Sequence, residues 1–307
     1  MQLIVITNCS SRKTAVPSPA LHARRLQRGD VYSLAENWSD RCRAGLPRIP
    51  AGHLYSGRAF KIAERTALNA GADLLIVSAG FGLLRWETPI PAYELTISPH
   101  ADCILSRSGD GLSFSAEQWW RCPRSHQRPG NTFKHILQQS PSAYLILAVT
   151  NPYLQMISGE LTDLRASLLE RVRIVGPKSP QIVSEPLSSL VVPYDDRLND
   201  ARLRLGGTEF DFAARAASHF VSLVAQDKCP SPLEGHKRRV EFALDGLSPP
   251  NSPVRSRITD KTLLTLIAHF KEKAYSKSHA LRQLRDGIGC ACSQERFTGL
   301  WEIAQNE

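Results

Sequence analysis

Four short stretches hold side chains whose types and spacing suit chemistry on a bound ring or anion. NCSSRK, residues 8–13, sets a thiol, two hydroxyls and two cations side by side: Cys9, Ser10, Ser11, Arg12 and Lys13. A thiol flanked by cations is a candidate nucleophile, because nearby positive charge favours the thiolate, the form that attacks. A cysteine in such a place also serves as plain packing, and the residue types leave both roles open. YSGR, 55–58, offers Tyr55, a Ser56 suited to cap a helix, and Arg58; free N–H groups at a helix start suit an anion or an electron-rich ring edge. SAGFG, 78–82, puts Ser78, Gly80, Phe81 and Gly82 into a turn from which Tyr93, Glu94 and Thr96 can fold back. YDDR, 194–197, adds Asp195, Asp196 and Arg197. Glu94 or Asp196 is a candidate acid, base or water-positioning group, and an ordinary Asp-rich turn is the alternative at 195–196.

These stretches need elements to position them. QLIVIT (2–7), DLLIVS (73–78), AYLILAV (143–149) and RVRIV (171–175) are short apolar runs that fit buried strands, with another near 189–192. Helical spacing falls over 30–44, over 57–70 with Phe60, Ile62, Ala63, Thr66 and Ala67 on one face, over 151–170 and over 206–226. Strands alternating with helices predict an α/β domain with a mixed, partly parallel sheet flanked by helices. In such sheets ligands bind beyond the carboxyl ends of the strands, where Cys9 and Ser78 fall. Residues 98–130, with Trp119 and Trp120, exceed an ordinary loop.

The chain divides into an α/β domain over 1–226, a Pro-, Ser- and basic-rich linker over 227–257, and a small all-α module over 258–307. In the last, three helical stretches carry Leu263, Leu264, Ile267 and Phe270, then Leu281 and Leu284, then Phe297, Leu300 and Trp301 on their inner faces. A Gly-containing turn between the second and third gives a helix-turn-helix pattern. Residues 251–300 hold nine Lys or Arg against four Asp or Glu. Lys277, Arg282, Arg285 and Arg296 are candidate phosphate contacts, and Gln294, Glu295 and Thr298 candidate groove contacts; a three-helix packing module with a solvated basic face is the alternative.

The 307 residues carry a formal net charge of +9, which favours a polyanionic partner. No run approaches the length of a membrane span, and the start reads as a strand rather than a signal peptide, so a cytoplasmic protein with no membrane partner is expected. The seven cysteines form no CxxC pair, and the histidines have no ligand spacing, so neither a metal nor another cofactor is expected.

The stretch SAGFGLLRWETPIPAYELTI resembles a segment of YaaA-like proteins in which Ser-Gly-x-Tyr-Gly-Leu-Leu-Arg-Pro precedes Ile-x-Pro-Tyr-Arg-Leu-Glu-Met. ITNCSSRKT is similar to the family's Ile-Ser-Pro-Ala-Lys-Thr, with Lys13 and Thr14 matching. LYSGRAF stands where the family has Tyr-x-Gly-x-Val-Tyr. TNPYLQMI resembles its Ser-Asn-Glu-Tyr-Phe through Asn151 and Tyr153, and FAARAASHFV its Ala-Arg helix through Ala214 and Arg215. The resemblance spans residues 1–225 and implies an α/β domain associated with DNA, with Asn151, Tyr153 and Arg215 joining the substrate site. The family is linked to peroxide stress and DNA binding. One member, in the bacterial 7-deazaguanine DNA modification system, converts a 7-cyano-7-deazaguanine base in DNA to the 7-amido form.

From this follows the leading expectation, a DNA base-modifying enzyme that hydrates such a nitrile. DNA and other proteins of a modification system would be its partners, and Cys9, Lys13, Glu94 and Asp196 its catalytic groups. An everted base would stack on Tyr55, Phe81, Trp86 or Tyr93. A non-catalytic DNA-binding protein of stress response or defence, and an enzyme on a free nucleoside or nucleotide, are the alternatives.

Overall fold

A computed structural model describes residues 2–43, 45–122, 132–227, 231–250 and 255–304. Among the described residues nine strands form three sheets: β1 Gln2–Asn8, β2 Arg48–Pro50, β3 Asp73–Ser78, β4 Gly82–Arg85, β5 Pro89–Pro91, β6 Ala143–Ala148, β7 Val172–Ile174, β8 Ser256–Arg257 and β9 Cys290–Ala291. The central sheet has the order β4-β3-β1-β6-β7, parallel except for the edge strand β4. The inner strands are apolar on both faces because helices cover both. Leu3 through Ile6, Leu74 through Val77 and Leu145 through Ala148 are all buried.

The helices that bear on the sheet are α1 Val31–Arg43, α2 Arg58–Ala70, α3 Asn151–Thr162, α4 Phe212–Val224 and α5 Leu233–Leu244. From the centre of the sheet the chain steps β1 to β3 in one direction and β6 to β7 in the other. Right-handed crossovers then place α2 and α3 on opposite faces. Gly71, at φ +59, ends α2 in the left-handed conformation that glycine adopts freely.

Sequence and structure differ at several points in this unit, among them the helix expected over 151–170, which ends at Thr162 before a short separate helix, Ala166–Leu169. The run at 189–192 makes one parallel bridge, Ile174 to Val191, and no strand, since Pro193 has no N–H to extend a ladder. The helix expected from 206 begins at Phe212, because Thr208 N–H donates to Asp211 Oδ1 at 2.8 Å and sets the start of the helix there. The middle of the expected linker, 12 residues, is the helix α5, whose buried His236, Val240 and Leu244 repeat every four residues along one stripe. His236 Nδ1 accepts from Arg173 Nε of β7 at 2.9 Å, so α5 is fastened to the sheet. The compact units are accordingly Met1–Pro249 and Pro250–Glu307. Residues 228–230 and 251–254 of the expected linker lie outside the described residues, as do residues 123–130 of the long 98–130 segment.

The second unit contains α6 Asp260–Glu272, α7 Lys277–Arg282 with a π turn over Gln283–Gly287, and α8 Gln294–Ile303. Leu263, Ile267, Phe270, Leu284, Phe297, Leu300 and Trp301 close its core, while Leu264 and Leu281 pack at its margin. The short parallel pair β8–β9 ties the incoming chain to the turn before α8. No helix among the described residues is long and apolar enough to cross a membrane.

Candidate functional site

The sheet reverses its strand order at β1, which pairs with β3 on one side and β6 on the other. The carboxyl end of a strand at such a reversal opens a crevice between diverging loops. Cys9 follows β1 there, Ser78 ends β3, and Asn151 opens α3 just after β6. Asn8 fixes the junction: its Oδ1 accepts from Thr150 N–H at 3.1 Å and its Nδ2 donates to the Cys9 carbonyl at 2.9 Å. Cys9 N–H donates to the Val77 carbonyl at 2.9 Å. Asn8 was not among the expected site residues, although it sits beside Cys9 in the same motif.

Around the thiol stands a cluster of hydroxyls. Cys9 Sγ lies 3.2 Å from the Tyr153 hydroxyl. The Tyr93 hydroxyl is 2.9 Å from that of Tyr55 and 2.7 Å from Ser78 Oγ, which accepts from Phe81 N–H at 3.1 Å. Burial, and then the charge a Cys9 thiolate would carry, push the Tyr55, Tyr93 and Tyr153 phenols well above their ordinary values. All three therefore stay protonated and can donate. Thr96 lies near enough to the Tyr153 hydroxyl to offset part of that rise.

Two indoles shape the turn that carries Ser78. Trp38 Nε1 donates to the Gly80 carbonyl at 2.8 Å, and Trp119 Nε1 to the Ala79 carbonyl at 2.7 Å. The 98–130 segment thus contributes a buttress through Trp119. A Cβ on Gly80 would lie 2.8 Å from Tyr93 Cε2, so only glycine lets this ring approach. Gly82, at φ +72, turns the chain into β4.

Lys13 reaches the edge of the cluster. Its side chain is 4 % exposed, with Nζ 3.5 Å from Glu94 Oε1, 3.2 Å from the Ser11 carbonyl and 4.8 Å above the Tyr93 ring. Ser10 Oγ donates to the Arg12 carbonyl at 2.6 Å and accepts from Gly57 N–H at 3.1 Å, stapling the first loop to the start of α2. The cap of α2 is Gly57 rather than Ser56, whose N–H donates instead to the Arg12 carbonyl at 3.0 Å. Arg12 itself is exposed and forms no ion pair among the described residues.

Several expected members stand elsewhere. Asp196 accepts from Lys178 at 2.6 Å and from Asn199 at 3.3 Å, and no group of the thiol–phenol cluster is among its partners. Asp195 is engaged by Arg197, which with its N–H bonds holds the Asp195 carboxyl below the usual range against the opposing effect of burial. Arg58 and Arg215 converge on Asp211 at 3.0 and 2.7 Å. Arg215 also donates to Asn199, Leu205 and Thr208, and is 2 % exposed, so it works as a buried brace between α4 and the loop before it. Tyr55 and Tyr93 are fully covered and present hydroxyls, not ring faces, which leaves Phe81 and Trp86 as the partly exposed aromatics of that set.

A cavity of about 360 Å³ opens beside the junction, beyond the ends of β6 and β7. Asn151 lines it together with Ser98, Thr150, Lys178 and Phe210, the last 87 % exposed. Lys178 and Phe210 carried no motif that would have marked them. In the second unit, Lys277, Arg282 and Gln294 are exposed. Arg285 instead donates twice to the Cys292 carbonyl, at 2.9 and 2.7 Å, and Arg296 is held by Asp260 and the Ile258 carbonyl.

No group of three or more His, Cys, Asp or Glu among the described residues is arranged to hold a metal ion. No protein-family model, curated protein or solved structure matches the chain.

Proposed function

We propose that this chain is a DNA base-modifying enzyme of the 7-deazaguanine pathway, similar to the DpdC member of the YaaA-like family, and that it hydrates a 7-cyano-7-deazaguanine base in DNA to the amide. The observation that carries the reading is the buried thiol of Cys9 beside a protonated phenol at the sheet's reversal point. A nitrile needs a nucleophile at carbon and a donor at nitrogen.

Cys9 sulfur adds to the nitrile carbon while the nitrogen takes a proton, giving a thioimidate. Water then adds to that carbon, the carbon–sulfur bond breaks, and the amide leaves with the thiol restored. Tyr153 is the proton donor nearest sulfur. The Lys13–Glu94 pair, with Lys13 Nζ 4.8 Å above the Tyr93 ring, is assigned the delivery of protons and the orientation of water, while Asp196 is tied to Lys178. Activation of water by Glu94 without covalent attack is the variant of this scheme that Cys9→Ser tests. Nucleoside mass spectrometry of a 7-cyano-modified duplex is the readout: amide should form with the wild type, fall at least about 100-fold with Cys9→Ser, and fall similarly with Glu94→Gln. Amide formation by both variants at the wild-type rate removes these roles.

The covered rings of Tyr55 and Tyr93 favour a second reading, a DNA-binding protein without turnover. It predicts steeply salt-dependent binding and no product.

A further inference from the structure

We propose that the C-terminal unit holds a nucleic-acid phosphodiester in a cleft walled by four arginines, and that this cleft, more than the outer face of α8, is its anchor on DNA. The inference rests on the DNA reading above and names the contact that serves it. The cleft has a volume of about 620 Å³ and is lined by Arg255, Arg257, Arg285 and Arg296 with Cys292 and Ser293. Pairing of Ser256 with Cys290 and of Arg257 with Ala291 brings β8 alongside the chain that enters α8, so distant arginines converge.

Two of the four are preset by backbone acceptors: Arg285 by the Cys292 carbonyl and Arg296 by the Ile258 carbonyl. Arg255 pairs with Asp286 at 2.8 Å, and Arg296 Nε with Asp260 at 2.8 Å, which offsets two charges. Arg257 and Arg285 have no carboxylate partner among the described residues, so the cleft keeps a surplus of positive charge. Like charges crowded in a concave site repel until an anion enters. A phosphodiester matches this setting, since its two non-bridging oxygens meet the fork of a guanidinium and its single charge sits well at the start of α8, a ten-residue helix.

The test uses the full chain, a short unmodified duplex and fluorescence anisotropy across a salt series. Arg257 is exposed and its side chain makes no hydrogen bond or ion pair among the described residues, so Arg257→Ala should leave the fold, checked by circular dichroism, unchanged. It should weaken binding about tenfold and lower the slope of log affinity against log salt by about one. Arg257→Lys should recover part of the loss. Wild-type affinity and slope in Arg257→Ala overturn the proposal. So does displacement of the duplex by a nucleoside triphosphate at stoichiometric levels, which would assign the cleft to a free nucleotide. Turnover does not enter the test. A protein that makes no amide but loses duplex binding with Arg257→Ala keeps the cleft and loses the enzymatic reading. One that makes amide while Arg257→Ala binds normally does the reverse.

Discussion

The hydroxyl of Tyr153 lies 3.2 Å from the sulfur of Cys9, joining the first turn of α3 to the end of β1 across 144 positions of sequence. Burial, and then the charge a Cys9 thiolate would carry, keep that phenol protonated, so the contact places a donor against the sulfur. Tyr153→Phe removes the donor and keeps the ring. Single-turnover conversion of the 7-cyano duplex should slow by about 100-fold, while urea denaturation should report a loss of only about 1 kcal/mol. Undiminished turnover in a folded variant takes Tyr153 out of the chemistry.

Gly80 is a packing requirement of the same site. Gly80→Ala puts a methyl group 2.8 Å from Tyr93 Cε2 and 3.2 Å from Trp38 Cζ2, inside contact distance of both. Overpacking of this kind lowers stability by about 1–3 kcal/mol. The displaced Tyr93 also loses its bond to Ser78, so the rate per folded molecule should drop as well. A melting temperature and rate equal to the wild type would show that Tyr93 yields freely.

Arg215 braces the molecule from inside. With both partners nearly covered, Arg215→Met leaves Asp211 buried with only the exposed Arg58 to answer it. Removing one member of such a pair lowers stability by about 3 kcal/mol, visible as a lower urea midpoint. Arg58→Ala, at an exposed end of the same cluster, should change it by less than about 1 kcal/mol.

His236 makes folding sensitive to acid. Burial, then the charges of Arg173 and Arg239, pull its pKa down to about 4 from an ordinary 6.5, against a smaller opposing effect of Asp227. The folded state therefore favours the neutral ring, whose Nδ1 is already occupied by Arg173 and whose buried Nε2 has no hydrogen-bond partner among the described residues. Stability from this residue is complete above the unfolded pKa and is lost as pH falls from about 6.5 toward 4. His236→Asn should flatten the difference in urea midpoint between pH 7 and pH 4.5. An unchanged pH dependence would assign the acid sensitivity to other groups.

Much of the frame was legible because parallel strands buried on both faces write themselves as unbroken apolar runs: LIVI, LLIV and LILA mark three of the central strands without ambiguity. The loops at 9–13 and 78–96 were legible for a related reason, since they follow those runs directly. The direction of Asp196 was not legible, because position after an apolar run does not fix it; Lys178, in another loop, holds its carboxylate. The burial of Tyr55 and Tyr93 was hidden for the same cause, as the rings that cover them come from Trp38, Phe60 and Phe81. The helix α5 escaped notice because its inner stripe is only His236, Val240 and Leu244, set among charged residues and flanked by prolines.

The fastening of α5 to β7 decides where this protein can be divided. A shortened chain stopping at residue 226 would strip Arg173 Nε of its acceptor and uncover Phe220, against which the His236 ring stands edge-on at 5.4 Å. Such a fragment should be sticky and poorly expressed, whereas one stopping after residue 249 carries its own cover. The scissors belong after the helix.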